Sequence, residues 1–116
     1  IISYGAGVHW ALSSLDKMNI SADLIDLRTL QPLDEECIFK SVKKTGRIII
    51  LQEDSLFGGI ASDISAMISE NCFEYLDAPV IRIASPEMPI PFAKNLESLY
   101  LPNERFEKAL IELLAY

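Results

Sequence analysis

The chain has 116 residues, 50% of them hydrophobic and 23% charged, and 10 Lys+Arg against 17 Asp+Glu leave a formal charge of −7. That size suits one domain with its own core, and the apolar content excludes a disordered segment. The acidic balance argues against nucleic acid or an anionic membrane as the main partner, no apolar run approaches the ~18 residues of a membrane span, and two Cys with one His cannot complete a four-ligand Cys/His zinc site.

Ile1 to Tyr4 is short and β-prone, and it opens without Met or a charged leader. It reads as a cut close to, or inside, a first strand rather than as a signal peptide. Gly5-Ala6-Gly7 ends it. Val8, Ala11, Leu12, Leu15 and Met18 then recur at helical spacing and predict an amphipathic helix. Ala22 to Leu27 alternates apolar and polar residues, as a strand does. Pro32 breaks the chain before a helix with Asp34, Glu35 and Glu36 at its start, Lys40, Lys43 and Lys44 at its end and Gly46 just beyond. Those positions suit the helix dipole and a glycine stop.

Arg47 to Gln52 carries a continuous β-branched run, which predicts a strand buried on both faces. Glu53 to Phe57 is expected to be a loop. Gly58-Gly59 opens a helix with Ile60, Ile64, Met67 and Ile68 on one face. Pro79 to Ala84 predicts a further strand. Pro86, Pro89 and Pro91 then exclude an ordinary helix or a central strand. Asn95 to Tyr100 is expected as a short helix, and Pro102-Asn103 starts a last one whose buried stripe is Phe106, Ala109, Leu110, Leu113 and Leu114. Cys37 and Cys72 are expected as reduced, core-facing thiols. Strand and helix alternate throughout, which argues for an α/β domain with helices on both faces of a mostly parallel sheet.

Four features carry possible chemistry. Gly5-Ala6-Gly7 with Asp26 outlines a dinucleotide site, but Trp10 stands where a small residue is required; the simpler reading is a tight turn. His9 is the only imidazole, either a packed or half-exposed histidine or a group set at a subunit interface. Glu53 and Asp54 follow the third strand and precede Gly58-Gly59, a helix start able to present N–H groups to an anion or simply to give room for packing. Ser85 to Phe92 is apolar and rigid, exposes Met88, Ile90 and Phe92, and loses little entropy when it docks; it is either a core-covering loop or a subunit contact. No Ser-His-Asp order, cysteine-nucleophile setting or phosphate-cradling lysine loop is present, so no catalytic, cofactor-binding or metal-binding residue is assigned.

Taken together, the runs resemble a known family: Tyr4-Gly5 with Val8-His9, Asp26-Leu27-Arg28-Thr29-Leu30-Gln31-Pro32-Leu33-Asp34, Lys43 to Arg47, Glu53 with Gly58-Gly59, Leu76 to Val80, Pro86 with Pro89 to Phe92, and Tyr100-Leu101-Pro102. The chain is similar to the C-terminal domain of the transketolase superfamily, and most like the beta subunit, or fused beta part, of thiamine-diphosphate-dependent 2-oxoacid dehydrogenases. The resemblance implies a three-layer α/β/α domain, residues 1–116, with a five-stranded, mostly parallel sheet in which one strand is antiparallel. It implies a larger enzyme that decarboxylates pyruvate or a branched-chain 2-oxoacid such as 2-oxoisovalerate and passes the acyl group to a lipoyl acyltransferase. Thiamine diphosphate and Mg would be held by other domains, so this fragment is expected to be inactive. Its implied partners are an alpha part or subunit, a second copy, and the acyltransferase, in a dimer or heterotetramer. The implied location is the cytoplasm, or the mitochondrial matrix in a eukaryote. His9, Glu53, Gly58, Gly59, Pro89, Ile90, Pro91 and Phe92 are the expected interface residues. The chain departs from the family at Gln52-Glu53-Asp54-Ser55, where many beta subunits have His-Glu-Ala-Pro, and at Phe57 and Ile60.

Overall fold

Four β-prone runs form four strands in the computed structural model, which describes residues 1–116. They are β1 (Ile2–Ser3), β2 (Ile25–Asp26), β3 (Ile49–Ser55) and β4 (Ile81–Ser85). Their order across the sheet is β2-β1-β3-β4, and every pairing is parallel. Ile2 lies between Ile25 and Ile50, which fixes the register at the centre. The sheet is thus four-stranded and wholly parallel, rather than five-stranded with one antiparallel member. No β-prone run remains after β4: the prolines deny the ladder its N–H donors, and the rest of the chain is helical.

Five helices connect and cover the strands: α1 (Ala6–Met18), α2 (Glu35–Thr45), α3 (Ile60–Cys72), α4 (Lys94–Tyr100) and α5 (Asn103–Leu114). A single 3-10 turn, Phe73–Tyr75, follows α3. One face of the sheet packs Ile2, Ile48 and Ile50 against Ile38 and Val42 of α2 and Ile64 and Ile68 of α3. The opposite face packs Ile49 and Leu51 against Ala11 and Leu15 of α1 and Phe106 and Leu110 of α5. These are the three layers expected, and they explain why β3 is apolar without alternation: successive side chains enter two different cores.

Local signals set the helix ends. The Asp34 carboxylate accepts a hydrogen bond from the Cys37 N–H at 3.0 Å, and Gly46 closes α2 with φ +66°. Other details depart from the sequence reading. β3 continues through Glu53 and Asp54 to Ser55, because the pairing with β4 resumes at Ser55↔Ser85 after an irregularity. β2 keeps only Ile25 and Asp26 of the predicted Ala22–Leu27, being an edge strand. Cys72 is buried but Cys37 is exposed, and both are free thiols. Cys37 sits one residue from Ile38, about 100° around the helix from the buried stripe. Leu12 and Leu114 also face outward, Leu114 in the last turn of α5.

Candidate functional site

Parallel strands deliver all their carboxyl ends to one side of the sheet. The chain leaves β1 for β2 on one side and returns to β3 on the other, so the order reverses between β1 and β3. Crevices at such reversal points are the usual ligand sites of open α/β sheets. Here the residue after β1 is Tyr4, and the end of β3 supplies Glu53 and Asp54. These three, with Ile90, Glu97 and Tyr100, line a crevice of about 440 Å³.

The crevice is acidic and partly apolar. None of Glu53, Asp54 or Glu97 has an ion-pair partner among the chain's salt bridges. Burial raises the Tyr4 phenol above its usual range, and the charges of Asp54 and then Glu53 add to the effect. Tyr4 is therefore a neutral hydroxyl at physiological pH. Carboxylates beside aromatic and aliphatic walls suit a cationic or hydrogen-bond-donating group and repel a phosphate.

Gln52, the buried residue preceding this acid pair, organises the junction. Its Oε1 accepts a hydrogen bond from the Ala61 N–H at 2.8 Å, and its Nε2 donates to the Ser55 carbonyl at 2.6 Å. One side chain thus caps α3 and holds the end of β3. The glycine pair serves this arrangement. Gly58 has φ +71°, and a Cβ at Gly59 would lie 2.0 Å from Gln52 Nε2. At the start of α3, Gln52 fills the space beside Gly59 and takes up the Ala61 N–H. Backbone conformation accounts for Gly58 and close packing against Gln52 and the Ser55 carbonyl for Gly59.

The Gly5-Ala6-Gly7 turn has a similar cause. Gly5 adopts φ +55°, and a Cβ at Gly7 would lie 2.2 Å from Ser3 Oγ, which itself donates to the Leu51 carbonyl at 2.8 Å. The Gly7 N–H donates to the Tyr4 carbonyl and the Val8 N–H to that of Gly5. Asp26 is paired with Arg28. Gly5 supplies the turn's positive φ and Gly7 lets strand and helix approach each other, which favours the tight-turn reading over the dinucleotide one.

Of the expected interface residues, the structure brings Glu53 and Ile90 into one crevice. Gly58 and Gly59 sit in the adjoining turn. His9 is exposed on α1 and borders a separate groove with Leu12, Asp26 and Arg28. In the proline-rich segment Met88, Ile90 and Phe92 are exposed, Phe92 completely, and the exposed Leu96 and Leu99 of α4 follow them. Tyr4 and Tyr100 enter the sequence reading only as element ends and parts of the family runs and Glu97 not at all, because their partnership joins three distant segments. Only the position of Tyr4 directly after a strand signals its place.

Residues 1–105 match the family model described as the transketolase, C-terminal domain. The chain belongs to the transketolase C-terminal domain family. It is 41% identical over 121 positions to the 2-oxoisovalerate dehydrogenase subunit beta of Bacillus subtilis, covering 100% of this chain and 37% of that protein. It is 44% identical over 108 positions to the pyruvate dehydrogenase E1 component subunit beta of the same organism, covering 90% of this chain and 33% of that protein. An acetoin:2,6-dichlorophenolindophenol oxidoreductase subunit beta of Cupriavidus necator is 42% identical over 106 positions, covering 89% and 31%. The chain thus spans about a third of the length of the curated relatives it matches. Among solved structures, a split gene transketolase, described as an inactive beta4 tetramer, superposes with a TM-score of 0.77 at 24% identity, covering 98% of this chain and 37% of the other. That likeness speaks to the transketolase C-terminal fold alone.

Proposed function

We propose that residues 1–116 form the C-terminal, interface-building domain of the beta subunit, or fused beta part, of a 2-oxoacid dehydrogenase decarboxylating component. The observation that carries this is the 41% identity across the whole chain to a 2-oxoisovalerate dehydrogenase subunit beta. The whole enzyme decarboxylates 2-oxoisovalerate or pyruvate oxidatively and passes the acyl group to the lipoyl group of an acyltransferase. Thiamine diphosphate with Mg supplies the carbanion chemistry of that reaction. The residues here do not fit the cofactor: the glycine-flanked start of α3 is capped by Gln52, and the switch-point crevice is lined by carboxylates. Other domains hold it, and this one is inactive alone.

In this reading the domain contributes contact surface. The exposed Met88, Ile90 and Phe92, held by three prolines, supply an apolar contact to the alpha part or a second copy in a dimer or heterotetramer. The acidic crevice supplies complementary charge to a basic docking partner. No helix is long and apolar enough to cross a membrane, in keeping with a place in the bacterial cytoplasm or the mitochondrial matrix.

The test is the full-length gene product with its alpha partner, assayed for thiamine diphosphate binding and for turnover of 2-oxoisovalerate and pyruvate. Failure to bind the cofactor, or turnover of neither acid, overturns the reading. The 42% identity to an acetoin oxidoreductase subunit beta supports a second reading, an acetoin-cleaving enzyme. Cleavage of acetoin in the same panel, without turnover of either acid, selects it.

A further inference from the structure

β4 is an edge strand, and a cleft of about 310 Å³ runs beside it. Residues Arg82 to Glu87 all line this cleft, together with Leu56 and Arg105. Lining by successive strand residues, which point to opposite faces, places the cleft along the free edge. Two of the four arginines of an acidic chain converge here from different elements, Arg82 from β4 and Arg105 from the first turn of α5.

Neither guanidinium has a carboxylate partner. Arg82 Nη1 donates to Ser62 Oγ at 2.6 Å, and Arg105 Nη2 donates to the Tyr100 carbonyl at 3.0 Å. Each is thus steadied by one bond while its other N–H donors stay available. Ser85 lines the same cleft, and its hydroxyl is buried without a hydrogen-bond partner. Buried hydroxyls normally have one. Glu87 is the only carboxylate on the cleft wall and is paired with neither arginine.

We propose that this cleft binds a phosphate-class oxyanion, free or as the phosphoryl group of a small ester, with Arg82 and Arg105 as its ligands and the Ser85 hydroxyl as a third donor. A planar carboxylate fills one guanidinium fork, whereas a tetrahedral dianion offers oxygens to two forks at once. The cleft volume lies at the small end of the range for small-molecule sites, which suits a phosphoryl group and excludes a dinucleotide. The net charge and the Glu87 carboxylate disfavour nucleic acid. This site is separate from the switch-point crevice and does not depend on the reading above.

The experiment is nitrogen-15-edited NMR of the 116-residue chain at constant ionic strength. Inorganic phosphate, glycerol phosphate and acetate are titrated in parallel. Saturable shifts centred on Arg82 to Glu87 and Arg105 are expected for the two phosphates, and weaker ones for acetate. Tighter binding of the ester selects a phosphoryl ester as the ligand, and equal binding selects free phosphate. Arg105→Gln weakens phosphate binding about tenfold or more, as loss of a charge-assisted bond requires, and Glu87→Gln tightens it. Arg82→Gln, at an exposed side chain, gives the same loss should Arg105→Gln fail to fold. Shifts that never saturate, acetate binding as tight as phosphate, or unchanged binding in a folded arginine variant overturns the proposal.

Discussion

Gln52 and Gly59 occupy one volume: the absent Cβ of the glycine is the space in which the glutamine amide lies, 2.0 Å from where that carbon would be. The amide in turn serves Ala61 and Ser55 at once. Replacing Gln52 by Leu leaves a buried N–H and a carbonyl unpaired, and should cost about 2–4 kcal/mol of stability. Gly59→Ala should cost ~1–3 kcal/mol by overpacking. Urea unfolding of Gln52→Ala, Gly59→Ala and the pair should show a double variant less damaged than the sum, because the shorter side chain removes the nearest clash and leaves only the Ser55 carbonyl, 2.7 Å from the new Cβ. Strict additivity would falsify the shared-volume account.

Acid should weaken the fold through two surface carboxylates. Hydrogen bonds from Lys44 and Ser41 hold Asp23 below its usual 3.8. A hydrogen bond from Lys17, reinforced by one from Ser14, holds Glu107 below its usual 4.5. A carboxyl depressed in the folded state stabilises above its unfolded value, and that contribution disappears as pH falls through the folded value. Stability should therefore decline from about pH 4.5 downward. Asp23→Asn with Glu107→Gln should flatten that slope in denaturant titrations, modestly, since both pairs are solvent-screened. An unaltered acid profile in the double variant counts against the assignment.

Tyr4 should report the crevice directly. Its phenol is raised above 10.0 by burial first and by Asp54 and Glu53 next. A raised folded value contributes stability below 10.0 that is lost as pH climbs through the folded value. The phenolate absorbance of Tyr4, isolated by difference against Tyr4→Phe, should appear later than that of a free tyrosine. Glu53→Gln with Asp54→Asn should move it back partway, because burial persists. A Tyr4 titration at the ordinary value would show that the crevice is open to solvent.

Phe92→Asp should weaken association of the full-length protein with its own copies or its alpha partner without unfolding the domain. Phe92 is fully exposed and so contributes little to the core. A buried aromatic anchor at an interface is worth about 2 kcal/mol or more, so sedimentation should reveal a dissociation constant raised at least about tenfold. Unchanged sedimentation removes Phe92 from any interface.

The elements whose evidence is local were legible in the sequence. Asp34 and Gly46 bracket α2 as read, and the Ile48 to Leu51 run marks the one strand that faces two cores. The Pro86, Pro89 and Pro91 segment is irregular for the reason the prolines give. What failed depended on neighbours. Cys37 lies next to a buried residue and follows the helical stripe out to solvent. Glu53 to Asp54 is polar, yet stays in β3 because β4 pairs with it again at Ser55. Gln52 was visible as a departure from the family, but its function as a clamp needs Ala61 and Ser55 in place. Tyr4, Glu97 and Tyr100 meet only after the sheet reverses its order, so no spacing in the chain announces them. Neither does any spacing announce Arg82 beside Arg105.

The two outer strands of the sheet are unequal, and the longer one, β4, does not invite another sheet to join. β2 offers two residues. β4 offers five, but a charged Arg82 stands along it and Pro86 follows directly, and both features discourage strand addition. Along β4, then, contacts with another chain are more readily built by side chains meeting side chains than by backbone pairing.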